Sequence, residues 1–403
     1  MTAPDPTESN LRAYAVHQRV VGAAFWVPTS LLYPIDEVGL TRALQLGALY
    51  YVTVVVLEVP SGWFSDRVGR VVALRVTATA WVVCHALFLL GGLGPIAMAQ
   101  AMLAVGYAFL SGTDSTFHFD VLDADGRSAE FEPREARVRR DLLLVTAVTA
   151  VAGGCLGFVD LRLPFAAALV AALVQLGATL RMSEPPRSTR SSGLTSDLRA
   201  IGRHLRRPLL AWVALYTIAE VVLIHLVSEL APPYLALVLE RPSDDPAGAA
   251  VIAGVVAATV ALVGAVSLRY TEPARHRIGS GPLLVLLAAL TAATSVAMGT
   301  VTSLLVLPLI VTRGIQVAAT QVIVPGIVSR QVEQQHRATT LSVMSLFGRC
   351  SYAIVLVAIA GDVLGDVLDR AAVIAIAVAL VAAATSRLPA VAAGLDADRR
   401  SAA

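Results

Sequence analysis

Apolar runs of about twenty residues recur along this chain from near Val20 to near Leu388, separated by short clusters of Gly, Pro and charged residues. A helix of that length crosses the ~30 Å apolar core of a bilayer. Within each run the apolar residues go all round rather than along one stripe, as expected of helices surrounded by lipid and by one another. The pattern predicts helices near 16–34, 40–64, 71–93, 95–119, 140–159, 161–181, 209–232, 247–268, 281–300, 302–328, 338–360 and 363–387, twelve in all. Small residues are frequent inside the runs, as at Gly153, Gly154 and Gly254. They let helix backbones approach where lipid removes the hydrophobic drive to associate.

Composition supports the same class. The 403 residues are 56% hydrophobic and 15% charged, whereas a soluble domain carries about 25% charged residues. All 31 basic residues are Arg. With a cytoplasmic N-terminus, 24 of them fall in cytoplasmic segments and four (Arg42, Arg162, Arg241, Arg370) in the opposite loops, while Arg19, Arg313 and Arg349 lie within spans. That bias is a positive-inside signal with both termini cytoplasmic. Residues 182–208 are rich in Pro, Ser and Arg and read as a cytoplasmic linker between two six-helix bundles, 1–181 and 209–403.

The remaining chemistry is mostly exclusion. Cys84, Cys155 and Cys350 form no paired spacing, so neither a disulfide framework nor a zinc site is expected. No cleavable signal is expected, because residues 1–15 are polar without a basic start. A net charge of +2 points to no nucleic-acid partner. Without a phosphate-binding glycine loop or a nucleophile–His–Asp pattern, the chain reads as neither an ATP-driven pump nor an enzyme, and no cofactor or metal is implied.

One loop carries a specific pattern. After the second predicted helix, residues Gly62 to Arg70 read G-W-F-S-D-R-V-G-R. This resembles motif A of the major facilitator superfamily, G-x-x-x-D-R-x-G-R, at every motif position (Gly62, Asp66, Arg67, Gly69, Arg70). Physically, Gly62 permits close helix contact, Asp66 can accept from the exposed N–H groups of a neighbouring helix N-terminus, and the two Arg can hold the loop at an anionic leaflet. The resemblance implies a cytoplasmic latch between the two halves, docking near Arg337–Ser342. Leu57-Glu58-Val-Pro60-Ser61-Gly62 and Ser111-Gly112-Thr113-Asp114 are similar to one branch of that superfamily, which contains many drug or metabolite efflux proteins. A degenerate echo of the motif spans Gly264 to Arg269, 202 residues after Gly62, as expected of two related halves. The chain departs from many drug–proton antiporters in two places: Gln100–Gly106 contains no Arg, and Gly153, Gly154 and Gly157 stand without a Pro.

Charges inside predicted spans are the candidate site, because each costs about 2.5–3.5 kcal/mol to insert and usually faces a partner or a watery cavity. Helix seven carries Glu220, His225 and Glu229. Glu220 lies roughly 16 Å from the start of its helix, near the midplane. It is the first candidate for proton coupling or for binding a cationic group, with a structural carboxyl as the alternative. Asp114 and His118 share a face of helix four, in the same half of the bilayer as Glu58. Arg313 and Arg349 are candidates for gating ion pairs with Glu58 and Asp114. Trp26, Tyr33, Gln316 and Gln321 are candidate cavity residues.

The expected protein is an all-α, multi-pass transporter of the bacterial inner membrane, a monomer in the lipid bilayer working by alternating access. The first reading is proton-coupled export of a small amphipathic or cationic compound, the efflux antiporter reading. The alternatives are proton-coupled uptake of a sugar-like or other metabolite, and a non-transporting receptor on the same fold.

Overall fold

The computed structural model describes residues 6–186, 202–239, 247–332 and 334–401. Among them there is helix and turn and no strand. In chain order the helices are α1 (Pro6–Val21), α2 (Leu32–Val38), α3 (Leu40–Arg67), α4 (Arg70–Leu90), α5 (Leu93–Leu110), α6 (Thr113–Ala124), α7 (Phe131–Val159), α8 (Leu163–Leu180), α9 (Pro208–Leu239), α10 (Ala247–Ile278), α11 (Ser280–Thr300), α12 (Leu307–Gln331), α13 (Gln334–Ile359), α14 (Leu364–Ser386) and α15 (Pro389–Ser401). The chain divides into two compact units, Met1–Thr189 with Ser243–Ala258, and Arg190–Pro242 with Thr259–Ala403. Residues 187–201 of the expected linker lie outside the described residues.

Among the described residues, eleven helical stretches are long and apolar enough to cross a membrane, against the twelve expected. The first is the exception. The chain leaves the helix after Val21, passes through an irregular segment and a short 3-10 turn at Val27–Thr29, and becomes helical again at Leu32. Pro28 is the second residue of that 3-10 turn, where its missing N–H is no loss. Helix α1 also begins ten residues before the expected start and is polar, with Asn10, His17 and Gln18 buried. Several of its polar groups find partners far along the chain. Asn10 and the main chain of Ser183 exchange bonds of 3.0 and 2.9 Å.

One face of α7 holds the break. Leu142, Thr146, Thr149 and Gly153 recur at helical spacing. Gly22 packs on the Leu142 main chain, Thr146 donates to the Gly22 carbonyl at 2.9 Å, and Thr149 accepts from the Ala24 N–H at 2.9 Å. Gly153 makes room for the Phe25 carbonyl. Backbone freed from a helix at membrane depth survives only where protein satisfies it, and the two threonines do so here.

The other predicted spans appear within about five residues of their expected ends, except that α7 begins nine residues early at Phe131, α9 and α10 run on to 32 residues each and the fourth span is split at Gly112. Gly112 sits at φ +72, a conformation that glycine adopts without a steric cost. At the other end of this unit, Glu37 accepts from the Gly92 N–H (2.8 Å) and pairs with Arg162 (2.6 Å). The hydrogen bond from Arg162 holds the Glu37 carboxyl below its usual range. Tyr33, a candidate cavity residue, is instead a packing residue. It is 1% exposed, donates to the Phe88 carbonyl at 2.7 Å and packs against the Phe88 and Phe165 rings.

In the second unit, Gly264 and Gly314 bring α10 and α12 into backbone contact, and Gly348 of α13 lies on Val221 of α9. Tyr234 donates to the Val301 and Ser303 carbonyls at 2.6 and 2.9 Å, tying α9 to the loop after α11. Trp212 donates to the Ala382 carbonyl of α14 at 3.1 Å.

Candidate functional site

The motif loop joins α3 to α4. Gly69 occupies φ +145 there, a backbone shape that excludes most side chains, so this motif position is explained by the turn itself. No described residue outside its own helix comes within 4 Å of a Cβ placed at Gly62. The Asp66 carboxylate pairs with Arg70 one turn on. The exposed N–H groups at the start of α4 are capped by Glu184 instead, whose carboxylate accepts from Arg70 N at 2.7 Å and Val71 N at 3.0 Å. An anion at a helix N-terminus answers both the orphan donors and the dipole. Arg70 reaches further, donating to Ser65 (3.1 Å) and lying 3.5 Å from Asp120 of α6. The Arg67 guanidinium stands 5.0 Å over the Trp63 ring. In the expected docking segment Arg337–Ser342, the side chains of residues 337–339 lie outside the described residues.

The two branch-like segments meet each other. Ser61 donates to the Ala108 carbonyl at 2.8 Å, Ser111 to the Glu58 carboxylate at 3.1 Å, and Thr113 to Ser65 at 3.0 Å. They clamp α3 to the split between α5 and α6.

Asp114 and His118 do share a face, and what they face is α1 and α7. Gln18 donates to Asp114 at 2.7 Å and to the Tyr14 hydroxyl at 3.0 Å. Tyr14 in turn donates to Glu135 at 3.2 Å, and the His118 Nδ1 lies 2.8 Å from the same carboxylate. Arg139 closes the set, 3.1 Å from Glu135 and 4.0 Å from Asp114. The Tyr14 and His118 rings stack at 4.6 Å. Asp114 is therefore already engaged within its own unit.

Burial opposes ionisation of Glu135, but the hydrogen bond from His118 and the charge of Arg139 outweigh it and hold the carboxyl below its ordinary 4.5. A depressed folded value means stability that is present above the ordinary pKa and is lost as the pH falls through the folded value. The melting temperature should accordingly fall as the solution is acidified from about pH 5 to about pH 3, and Glu135→Gln should flatten that slope. A melting curve series across this range checks it, and an unchanged slope in the variant removes Glu135 as the cause.

A small cleft, with room for about one water, opens inside the first unit beside the break in the first span. Trp26, Trp81, His85, Tyr107, Ala171 and Gln175 are among its lining residues. Gly106 leaves the space that the Trp81 indole fills. The Trp81 N–H is satisfied by the Leu103 carbonyl at 3.4 Å, and the Trp81 and Tyr107 rings meet edge-on at 5.0 Å. The amide nitrogen of Gln175 lies 3.3 Å from His17 Nδ1. Three buried polar atoms here have no hydrogen-bond partner: Gln175 Oε1, His17 Nε2 and His85 Nδ1. Each such orphan costs roughly 1–3 kcal/mol.

In the second unit, Glu220 is half-buried on α9. Tyr216, one turn before it, lies 3.4 Å from the Thr320 hydroxyl of α12 and is close to Glu220 and Gln316. Thr291 of α11 donates to the Gln316 carboxamide oxygen, whose nitrogen has no partner. Gln321 is exposed. His225 contacts the Val221 carbonyl at 2.7 Å and packs on the Tyr352 ring at 5.1 Å. Arg313 and Arg349 both lie near enough to act electrostatically on His225. Among the described residues, neither Glu220 nor Arg313 takes part in an ion pair. No group of His, Cys, Asp and Glu among the described residues could hold a metal ion.

No protein-family model and no curated protein matches this chain. Solved structures do. The nucleoside transporter NupG aligns with a TM-score of 0.75 at 12% identity, covering 95% of this chain and 100% of that one. A bacterial homolog of the human lysosomal transporter Spinster, in an inward-facing and unoccupied conformation, gives 0.71 at 16%, covering 98% and 99%. A D-xylose-proton symporter gives 0.65 at 12%, covering 93% and 97%. Over 93–98% of its length, this chain has the all-helical major facilitator fold that these transporters share.

Proposed function

We propose that the chain is a proton-coupled secondary transporter of a small molecule, with both termini cytoplasmic and Glu220 as the group that carries the proton. The observation that supports this most is Glu220 itself. It sits about 18 Å along α9 at about 1.5 Å per residue, beside the Tyr216, Gln316 and Thr320 polar cluster, with no cation paired to it. A membrane carboxyl without a structural partner is a functional group by default, and it can bind either a proton or a cationic substrate. The fold supports the same reading, since the solved structures that share it include a proton symporter.

The direction proposed is export of a small amphipathic or cationic compound from the cytoplasm across the bacterial inner membrane, by a monomer. This rests on the similarity of Leu57–Gly62 and Ser111–Asp114 to an efflux branch. A second reading, uptake by symport, is favoured by the nucleoside transporter and the xylose-proton symporter among the fold's neighbours. Accumulation of labelled compounds in membrane vesicles separates the two. Export predicts gradient-driven accumulation in everted vesicles. Uptake predicts it in right-side-out vesicles, and accumulation in neither overturns the transporter reading.

The motif loop is proposed to act as a latch between the halves. Asp66→Asn should abolish transport while leaving the amount of folded protein in the membrane nearly unchanged. Normal transport by that variant removes the latch from the mechanism.

A further inference from the structure

The second unit holds a cation that its own residues leave unanswered. Arg313 lies in the second turn of α12, about 9 Å from the start of the helix at about 1.5 Å per residue. Among the described residues it has neither an ion pair nor a hydrogen bond. We infer that Arg313, together with the Gln316 amide, binds the carboxylate group of the transported compound. This rests on the transport reading above and narrows its small amphipathic compound to an organic monocarboxylate.

Arg313 and Gln316 are three residues apart, so they share a face of α12. Gln316 is 1% exposed. Thr291 of α11 donates to its oxygen and so fixes which way the carboxamide points. Its nitrogen makes no hydrogen bond, although the Tyr216 hydroxyl is close. A buried donor without an acceptor is uncommon, and this one stands a turn away from a guanidinium in the same condition. An amide nitrogen and a guanidinium can only donate. Both therefore ask for an oxygen that accepts.

The local charge says which oxygen. Arg313 and Arg349 both act on His225 of α9. Tyr352, whose ring packs on His225, feels the charge of Glu229. Two guanidinium groups thus share this layer with one carboxylate, which leaves a single positive charge. Glu220 shows no charge interaction with Arg313 and stands outside this count. A monocarboxylate neutralises the surplus, and its two oxygens match the guanidinium fork. A phosphate would bring a second negative charge with nothing to meet it, and an ammonium group would be repelled.

Calorimetric titration tests the inference without any gradient. Full-length protein in detergent is titrated with benzoate and octanoate, each beside its own amide, and with benzylammonium. The expected result is saturable binding of at least one carboxylate and of neither the amides nor the ammonium. Arg313→Gln should weaken that binding about ten- to a hundredfold, the equivalent of a hydrogen bond to a charged group. It strands no partner, so the melting temperature should not fall, whereas loss of an arginine with a purely structural role would lower it. Gln316→Leu should weaken binding about fivefold, with Thr291 keeping its bond to the Leu287 carbonyl at 3.2 Å. Arg387→Gln, exposed just past α14, should change nothing. Binding of neither carboxylate, equal binding of acid and amide, or unchanged affinity in Arg313→Gln overturns the inference. Carboxylate binding by a protein that transports nothing would keep the site and overturn the transport reading alone.

Discussion

Gly153→Ala is expected to destabilise the folded protein by about 2 kcal/mol, the scale of an overpacked core, although alanine is the better helix former. The added methyl group would run into the Phe25 carbonyl in the irregular segment of the first span. That neighbour is main chain, held by the Thr146 and Thr149 contacts to Gly22 and Ala24, and cannot rotate away. Gly177→Ala in α8 is the control. Nothing lies within 4 Å of its Cβ position, so the same substitution should stabilise by about 0.5–1 kcal/mol through helix propensity. Unfolding midpoints of the two variants in detergent should move in opposite directions. Two shifts of the same sign and size contradict the account of the break.

Glu220→Gln is expected to reduce proton-driven flux to the leak of protein-free vesicles while exchange of substrate down its own gradient continues. Glutamine keeps the size and hydrogen-bonding reach of the side chain but has no proton to release at any working pH. Because no cation is paired with Glu220 among the described residues, the substitution leaves no charge stranded, and the melting temperature should stay near that of the wild type. This combination separates a coupling carboxyl from a structural one. A structural carboxyl would lower stability when neutralised, and a bystander would change neither readout.

The spans were legible because length and apolarity are sufficient to define a membrane helix, so α3 to α5 and α7 to α14 fall near their expected positions. Helix α1 was legible only in part. Asn10 and Tyr14 look like a solvated approach to the membrane and His17 and Gln18 like the start of a span, and their partners are Ser183, Glu135, Gln175 and Asp114, more than ninety residues away in each case. Periodicity within one segment carries no trace of such partners. Pro28 and Pro34 lie in this region, but a proline in a membrane helix is tolerated often enough that an unbroken span was expected.

The motif illustrates the same division. Gly69 was legible only as a motif letter, and the backbone shape that explains it comes from the structure. The neighbours of Gly62 and Asp66 were not legible either, because a motif letter does not say which neighbour it meets. The cap on α4 comes from Glu184, and the anchor for His118 comes from Glu135. The first lay in a stretch read as linker, and the second among charges read only as a positive-inside loop. Conversely, the echo at Gly264 is the position where backbone contact with Gly314 does occur.

The central claim is that movement of substrate through this chain is coupled to movement of protons. The most direct measurement is proton movement in proteoliposomes loaded with a pH-sensitive dye, with cationic drugs, sugars and amphipathic metabolites added in turn to the wild type and to Glu220→Gln. The account predicts that at least one compound moves protons through the wild type and moves none through the variant. Proton movement of equal size in both, or none in a wild type that still transports the compound, would contradict it.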